Sequence, residues 1–219
     1  MRVWFSRLFT GAGCIGLLLI GVIYGHGAIS SRMAIADFQQ SSTDQAEFTN
    51  ELDLSSYSPD QTLWSDEARA KYDKVNQDSS APLALIRIDR LNLEAPVFAG
   101  TDRKTLNRGI GVVEMSPMPG EVGNVALSGH RDSFFRPLKD IAVGDVIELQ
   151  NLRGTQNFQV SEISIVDPLD ISVLDPTDES VLTLITCYPF YYIGFAPDRY
   201  IVRAKLVDNE YHEDDVVAL

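Results

Sequence analysis

Cysteine is scarce in this sequence, since its 219 residues include only Cys14 and Cys187. Cys14 lies in an apolar N-terminal segment and Cys187 in the polar body of the chain, so we expect no intramolecular disulfide between them. Cys187 stands where the apolar run of "TLITCYPF" (Thr183–Phe190) meets proline and aromatic residues. The sequence therefore places one solitary thiol at the abrupt end of a predicted strand; the alternative is a buried, inert cysteine.

Basic residues are also few, with 18 Lys and Arg against 31 Asp and Glu and a net charge of −13. A nucleic-acid partner is not expected, because phosphate binding needs clustered Lys and Arg. Acidic residues are missing altogether from residues 1–36, which contain Arg2, Arg7 and Arg32. The chain thus joins an acidic body to a neutral-to-basic N-terminus.

That N-terminus is apolar, because Leu8 to Tyr24 carry no charge and follow Arg2 and Arg7. Seventeen helical residues span about 26 Å, and continuation to Ile29 gives about 33 Å, enough for a hydrocarbon core of about 30 Å. Residues 1–36 are therefore predicted to form a cytoplasmic tip and a single transmembrane signal anchor, with the body outside the cytoplasm. The alternative is a cleaved signal peptide with "AIA" (34–36) as its cleavage site.

Composition divides the rest of the chain into three parts. Residues 37–80 are rich in Ser, Gln, Asp and Glu and are interpreted as an extracytoplasmic stalk, with one short helix near "DEARAKYDKV". Residues 81–208 form the predicted folded body, and residues 209–219 an acidic tail. No internal repeat or low-complexity tract is present.

The body has the pattern of an all-β protein. Short apolar runs separated by Gly, Pro and Asp predict strands, namely "LALIRID", "LEAPVF", "NVALSGH", "DVIELQ", "NFQVSEISIV", "VLTLITC" and "RYIVRAKLV". One capped helical turn is predicted at "TDRKTLNRGIG", with Thr101 or Asp102 as its N-cap. Seven or eight short strands with little helix indicate a closed barrel or a sandwich. In the last strand, alternation places Arg199 and Arg203 on the face away from the core.

Histidine is rare as well, and this narrows the partners available to a cysteine nucleophile. A thiol with a pKa of about 8.5 needs a base or an electropositive setting to react at neutral pH. His26 borders the apolar segment and His212 lies in the tail, which leaves His130, directly after a predicted strand in "SGHRD". We therefore pair His130 with Cys187; the alternative is an ordinary turn histidine.

Acyl transfer also needs a donor for the developing oxyanion. Arg199 opens the last predicted strand, and an antiparallel pairing with "VLTLITC" would return it beside Cys187. Arg131 and Arg203 are competing donors, and a salt-bridged surface arginine is the alternative reading of Arg199.

These motifs resemble those of the sortases. "NVALSGHRD", "TLITC" and "APDRYIVRA" are similar, in order, to the His, TLxTC and Arg motifs of that family, over roughly residues 82–207. The compact segment "CYPFYYIGFAPDRY" is most similar to class D-like sortases and to the variant of Gram-negative marine bacteria. The resemblance implies a closed β-barrel of about eight strands with short helices, behind an N-terminal transmembrane helix.

The resemblance also implies a membrane-anchored cysteine transpeptidase that needs no cofactor and no metal. Cys187 matches the nucleophile, His130 the acid-base histidine and Arg199 the arginine of the last strand. Thr186 matches a position that helps to shape the substrate groove, and Ser128 and Ile185 are further candidate substrate-binding residues. The expected substrates are exported proteins with a C-terminal sorting signal of the Leu-Pro-x-Thr-x kind. The expected acceptor is an amine of a cell-wall precursor or a pilin-type lysine.

The resemblance places the protein in the bacterial cytoplasmic membrane as a single-pass protein, in contact with lipid through its N-terminal helix. Three other readings stay open: another cell-wall cysteine transpeptidase, a papain-like peptidase, or a membrane-tethered barrel that only binds peptides. Against the first, its histidine and cysteine typically lie in one motif, whereas His130 and Cys187 are 57 residues apart. The acidic loop after "SEISIV" could hold Ca²⁺, although a solvated turn is the expectation.

Overall fold

The computed structural model describes residues 57–75, 81–192 and 194–211. The predicted signal anchor and most of the acidic tail lie outside these residues. Within them, no helix combines the length and the apolar character needed to cross a membrane.

Eight strands form a closed barrel in the order β1-β2-β3-β4-β7-β8-β6-β5. Their bounds are β1 Ala84–Ile88, β2 Leu93–Ala99, β3 Ile110–Val112, β4 Asn124–Ser128, β5 Val146–Asn151, β6 Gly154–Val166, β7 Val181–Tyr188 and β8 Asp198–Tyr211. Pairing of β1 with β5 closes the barrel. Two neighbouring pairs, β2–β3 and β4–β7, run parallel, and the other pairs are antiparallel. The predicted closed barrel is confirmed, and the sandwich alternative is wrong.

Each of the seven quoted runs overlaps one of these strands, with ends that differ by up to four residues, whereas β3 was not predicted. Its sequence is only "IGV", and its pairing is set by close packing of the backbone. A Cβ on Gly111 would lie 2.1 Å from the carbonyl oxygen of Gly100, so only glycine fits there. At the other end of the chain, β8 continues to Tyr211, past the predicted end of the body at residue 208.

Side-chain alternation along the strands fills the barrel. In β8, Val202 and Ala204 are buried in the core, and Tyr200 and Leu206 pack against it, as the alternation predicts. Ile201 shares the outer face with the two arginines and is nevertheless only 1% exposed. Part of the outer face of β7 and β8 is therefore covered.

The connection between β6 and β7 is tied to that outer face. Asn124 at the start of β4 donates hydrogen bonds from its side-chain amide to the carbonyl oxygens of Val173 (2.9 Å) and Asp175 (3.0 Å). The Asn124 amide oxygen accepts a hydrogen bond from the buried Thr183 hydroxyl at 2.6 Å. Because Asn124 and Thr183 lie on neighbouring strands, these bonds fix the connection to the barrel wall.

The acidic part of this connection forms turns. Asp167 accepts a hydrogen bond from the backbone of Leu169 at 2.8 Å, and Asp170 from that of Ser172 at 3.0 Å. Across the described part of the chain, no three His, Cys, Asp or Glu side chains are grouped as a metal site requires. Asp167 and Asp170 are thus used by turns within the loop, and the Ca²⁺ alternative is not tested by this arrangement.

Within the described residues, two short α-helices accompany the barrel, α1 (Asp66–Val75) and α2 (Arg103–Arg108). The predicted N-cap of α2 is Asp102, whose carboxylate accepts hydrogen bonds from the backbone N–H groups of Lys104 (2.8 Å) and Thr105 (3.3 Å). These bonds satisfy donors that a helix start otherwise leaves unpaired.

Helix α1 corresponds to "DEARAKYDKV" in the predicted stalk, and it packs on the barrel. Trp64, Ala68 and Tyr72 repeat at the spacing of one helical face and are all buried in the barrel core cluster. The Trp64 ring meets those of Phe134 and Tyr72 edge to face, with centroids 4.6 and 5.4 Å apart. The described part of the predicted stalk is therefore integral to the folded body.

We expect Trp64→Ala to lower the free energy of unfolding by about 3–5 kcal/mol, because it removes a large buried side chain and two aromatic contacts. Leu63→Ala is the matched control, since Leu63 is 44% exposed, and its effect should stay below about 1 kcal/mol. Urea unfolding of the two variants measures both values. Equal effects of the two substitutions would show that α1 is not anchored to the core.

Candidate active site

Parallel pairing of β4 with β7 brings the predicted histidine and cysteine to one edge of the barrel. Ser128 lies opposite Ile185 in this ladder, and the Gly129 N–H donates to the Ile185 carbonyl oxygen at 3.2 Å. His130 follows Gly129 as Cys187 follows Thr186. Because parallel strands end at the same edge, two residues that are far apart in sequence lie beside each other there.

Gly129, directly before His130, is held in place by a ring contact and a hydrogen bond. A Cβ on Gly129 would lie 2.7 Å from the buried Phe135 ring, so the backbone can approach this ring only as glycine. Thr186 is 2% exposed, and its hydroxyl donates to the Gly129 carbonyl oxygen at 2.8 Å. Thr186 thus joins the strand of the cysteine to the residue before the histidine, and its predicted contact with substrate stays a prediction.

Arg199 is the direct cross-strand neighbour of Cys187 in the antiparallel β7–β8 ladder. Residues opposite each other in such a ladder have Cβ atoms about 5 Å apart on the same face. The Arg199 Nη1 donates to the carbonyl oxygen of Asp198 at 3.1 Å, and the described residues lining the cleft around Cys187 do not include Arg199. The strand pairing therefore places Arg199 beside Cys187, while its guanidinium is bonded to its own strand; its role as oxyanion donor stays a prediction.

Cys187 and His130 line one cleft of about 240 Å³. Its other walls come from α1, α2, the turn after His130 and the β7–β8 connection, and include Lys71, Asn107, Asp132 and Phe195. Cys187 is a free thiol and is partly exposed. A nucleophile and a candidate acid-base group therefore share a small, open site.

The environment of His130 favours its neutral form. Burial lowers the pKa of His130 because the imidazolium loses solvent, and the cations of Lys71 and Arg103 lower it further. The carboxylate of Asp132 opposes this effect and raises the pKa. The imidazolium fraction at neutral pH is therefore small.

Arg131 lines the cleft with Cys187 and also holds the β7–β8 connection. Its guanidinium donates to the carbonyl oxygens of Pro189 (3.1 Å), Tyr192 (2.9 Å) and Gly194 (3.0 Å). Arg131 is thereby committed and is a poor candidate for the oxyanion donor. It connects the residue after His130 to the loop that follows Cys187.

Arg136 also binds the β7–β8 connection. Its Nη1 donates to the Phe190 carbonyl oxygen at 2.6 Å, and its guanidinium lies 4.5 Å from the centre of the Tyr191 ring. This arginine is buried, so the contacts repay part of the cost of removing its charge from water.

The other competing arginine, Arg203, lies four pairs along β8 from Arg199, opposite Thr183. It lines a separate cavity of about 520 Å³ together with Glu162, Asp178 and Lys205. The described lining of this second cavity contains neither cysteine nor histidine. Although it is the larger cavity, it lacks the groups for acyl transfer.

Ser128 and Ile185 lie side by side, on the face that carries Cys187 and Arg199, and both are partly exposed. This position suits a peptide running along the strands toward the thiol, although their role as substrate contacts stays a prediction.

The sequence did not indicate the contributions of Lys71, Asn107 and Asp132 to the cleft. The available signal was the apolar repeat at Trp64, Ala68 and Tyr72, which marks α1 as a packed helix whose other residues reach neighbouring surfaces. Asp132 is bound to the start of that helix, because the Ser65 hydroxyl donates to its carboxylate at 3.1 Å.

Comparison with known proteins relates this chain to a described domain family. Residues 86–207 match the family model described as "Sortase domain". The chain is 37% identical over 124 residues to Sortase D of Bacillus subtilis and 29% identical over 117 residues to Sortase A of Listeria monocytogenes. These matches cover 56% and 52% of this chain but only 63% and 52% of the two relatives.

Among solved structures, the fold is similar to a Clostridium perfringens transpeptidase of the Sortase D type. The TM-score is 0.55 and the identity 27%, and the match covers 76% of this chain and 99% of that one.

We expect the imidazole of His130 to titrate below the usual histidine pKa of about 6.5, since burial is the dominant influence. Asp132→Asn should lower this pKa further, because it removes the carboxylate that opposes burial. NMR titration of the imidazole protons, assigned with His130→Gln, measures both changes. A wild-type pKa at or above 6.5, or an upward shift in Asp132→Asn, would contradict the electrostatic account.

Proposed function

Since the chain belongs to the sortase family and is class D-like, we propose that it is a cysteine transpeptidase that cleaves a sorting signal and transfers the acyl group to an amine. The observation that carries this proposal is the arrangement of Cys187, His130 and Arg199 at one barrel edge. A thiol, an acid-base imidazole and a guanidinium are the groups that acyl transfer through a thioester requires.

In the first half-reaction, the Cys187 thiolate attacks the scissile carbonyl carbon. The carbonyl oxygen becomes an oxyanion, which Arg199 stabilises after its guanidinium turns from the Asp198 carbonyl toward the sulfur. The C–N bond then breaks, and His130 as imidazolium gives its proton to the departing amine. The products are a thioester at Cys187, a neutral His130 and the released C-terminal fragment.

In the second half-reaction, an amine attacks the thioester carbon. Neutral His130 takes the proton of the attacking nitrogen, the C–S bond breaks, and an amide forms while Cys187 returns as thiolate beside the imidazolium. The lowered pKa of His130 keeps the starting thiolate–imidazolium form rare, so turnover is slow. The dependence of activity on pH is bell-shaped, because the reaction needs one group ionised and the other protonated.

The substrate lies along the outer face of the barrel. Its acyl part follows Ser128 and Ile185 toward Cys187, and its leaving part enters the cleft beyond the strand ends. The covered face near Ile201 and the β6–β7 connection limit how far the groove extends. A short sorting peptide of the Leu-Pro-x-Thr-x kind, presented by an exported protein, matches this surface.

The setting proposed for this reaction is the outer side of a bacterial cytoplasmic membrane. The support is the uncharged run Leu8–Tyr24 behind Arg2 and Arg7, which acts as a single-pass signal anchor in contact with lipid. In this setting, the acceptor is an amine of a cell-wall precursor or of a pilin-type lysine.

We expect Cys187→Ala to abolish cleavage of a sorting peptide and formation of a covalent acyl-enzyme, because no other described residue of the cleft supplies a thiol. Mass spectrometry of the full chain, incubated with a Leu-Pro-x-Thr-x peptide library, measures the adduct. Wild-type protein should gain the mass of the acyl part alone, at Cys187. Reversible peptide binding by both proteins without any adduct would support the peptide-binding alternative and overturn the proposal.

We expect Arg199→Ala to lower kcat/KM about 100-fold or more, the usual effect of losing an oxyanion donor. Arg203→Ala is the matched control, because Arg203 lies on the same strand and face but lines the other cavity. Its kcat/KM should remain within about twofold of wild type. Equal losses in the two variants, measured by release of the C-terminal fragment, would show that Arg199 has no special role.

A further inference from the structure

Besides Arg131, whose guanidinium is bonded to the β7–β8 backbone, the cleft beyond Cys187 contains two groups of opposite charge that the transfer chemistry does not use. Lys71 enters it from α1, and Asp132 enters it from the turn after His130. Asn107 adds an uncharged side chain with both donor and acceptor groups. A cation and an anion in one small cleft can bind a ligand that itself carries both charges.

We propose that the cleft between Lys71 and Asp132 is the acceptor subsite and that it selects amines whose molecule also carries a carboxylate. In this assignment the Lys71 ammonium binds the acceptor's carboxylate. The Asp132 carboxylate accepts an N–H from the acceptor's amine and holds it near the thioester. This inference rests on the proposed function and specifies its second substrate.

The placement follows from the course of the strands. Ser128 and Ile185 lie on the strand side of Cys187, where the acyl part of the substrate is proposed to lie. The cleft residues come from beyond the strand ends, and only this side is vacated when the C-terminal fragment leaves. Its volume of about 240 Å³ suits a molecule of amino-acid size.

Lys71 is available to an incoming carboxylate. Its Nζ lies 2.8 Å from Glu67 one helical turn earlier, with side-chain exposures of 44% and 75%. An ion pair this exposed is weak, so the ammonium can exchange Glu67 for a ligand carboxylate at little cost. Without an acceptor, Lys71 is thus paired with Glu67, and the carboxylate of an acceptor can displace Glu67.

Asp132 is held in place without being saturated. The Ser65 hydroxyl and the Ser65 backbone N–H donate to the Asp132 carboxylate and carbonyl oxygens, respectively, each at 3.1 Å. A carboxylate has about four acceptor positions, so this side chain can still accept an N–H from an amine. The contact also ties α1 to the turn after His130, which keeps Lys71 and Asp132 on facing walls.

The protons and bonds of the transfer step can all be accounted for. The acceptor's ammonium releases one proton to water, and the resulting amine attacks the thioester carbon. His130 takes the second proton as the C–S bond breaks, which yields the amide, the Cys187 thiolate and the imidazolium. Lys71 and Asp132 keep their protonation states throughout, so they position the acceptor and take no part in proton transfer.

The test uses two acceptors that differ only in the carboxylate, diglycine and glycylglycinamide, with one fixed sorting peptide. Lys71→Gln should raise the half-saturating concentration of diglycine about fivefold and leave that of the amide unchanged. Lys71→Arg should stay near wild type, and Glu67→Gln should lower the diglycine value because it removes the competing carboxylate. Lys74→Gln, on the same helix but absent from the described cleft lining, is the matched control.

Using both acceptors separates recognition from the effect of Lys71 on the pKa of His130. His130 also faces Asp132, Arg103 and the thiol of Cys187, and any change in its protonation alters transfer to both acceptors equally. Equal changes for diglycine and its amide, or no change for either, would overturn the inference. Absence of an acyl-enzyme on wild-type Cys187 would instead overturn the proposed function, and the acceptor subsite with it.

Discussion

The parallel alignment of β4 against β7 is the constraint on which the site depends. Parallel neighbours end at one edge, so the residues that follow them are delivered to the same place. An antiparallel pairing would put His130 and Cys187 at opposite ends of the barrel. Antiparallel β8 then begins at this edge and contributes Arg199 opposite Cys187. Pairing direction thus brings His130, Cys187 and Arg199 to one edge of the barrel from three different strands.

The hydrogen bond between Thr186 and Gly129 makes this alignment specific. A shift of β4 by one residue would move His130 away from the thiol. It would also turn the alternating side chains of β4 to the opposite face of the sheet. The buried Thr186 hydroxyl and the absence of room for a Cβ at Gly129 both oppose such a shift. Packing and hydrogen bonding at Gly129 and Thr186 thus help to fix the positions of His130 and Cys187 relative to each other.

Local pattern was sufficient to predict the strands and the candidate nucleophile, histidine and arginine. The alternation around Val202 and Ala204 predicts a buried face, and the rarity of histidine leaves one candidate base. The local pattern did not predict β3, because three residues with a central glycine are too few to show the alternation of a strand. The polar composition around α1 predicted a stalk, since a charged helix with few apolar residues is typical of a solvent-exposed segment. Its packing depends on Phe134, about 70 residues later, and no local window shows that contact.

Arg131 donates hydrogen bonds to three carbonyl oxygens of the β7–β8 connection, a group that every amino acid supplies, and its guanidinium also lies 5.8 Å from the centre of the Tyr192 ring. The clamp therefore constrains the path of this loop while leaving its side chains free to change. Apart from Tyr192, whose ring contacts the guanidinium, residues such as Phe195 can be exchanged in evolution or by engineering while Arg131 still holds the backbone beside the cleft. A fixed catalytic edge and a variable wall can thus coexist within a few residues of the same chain.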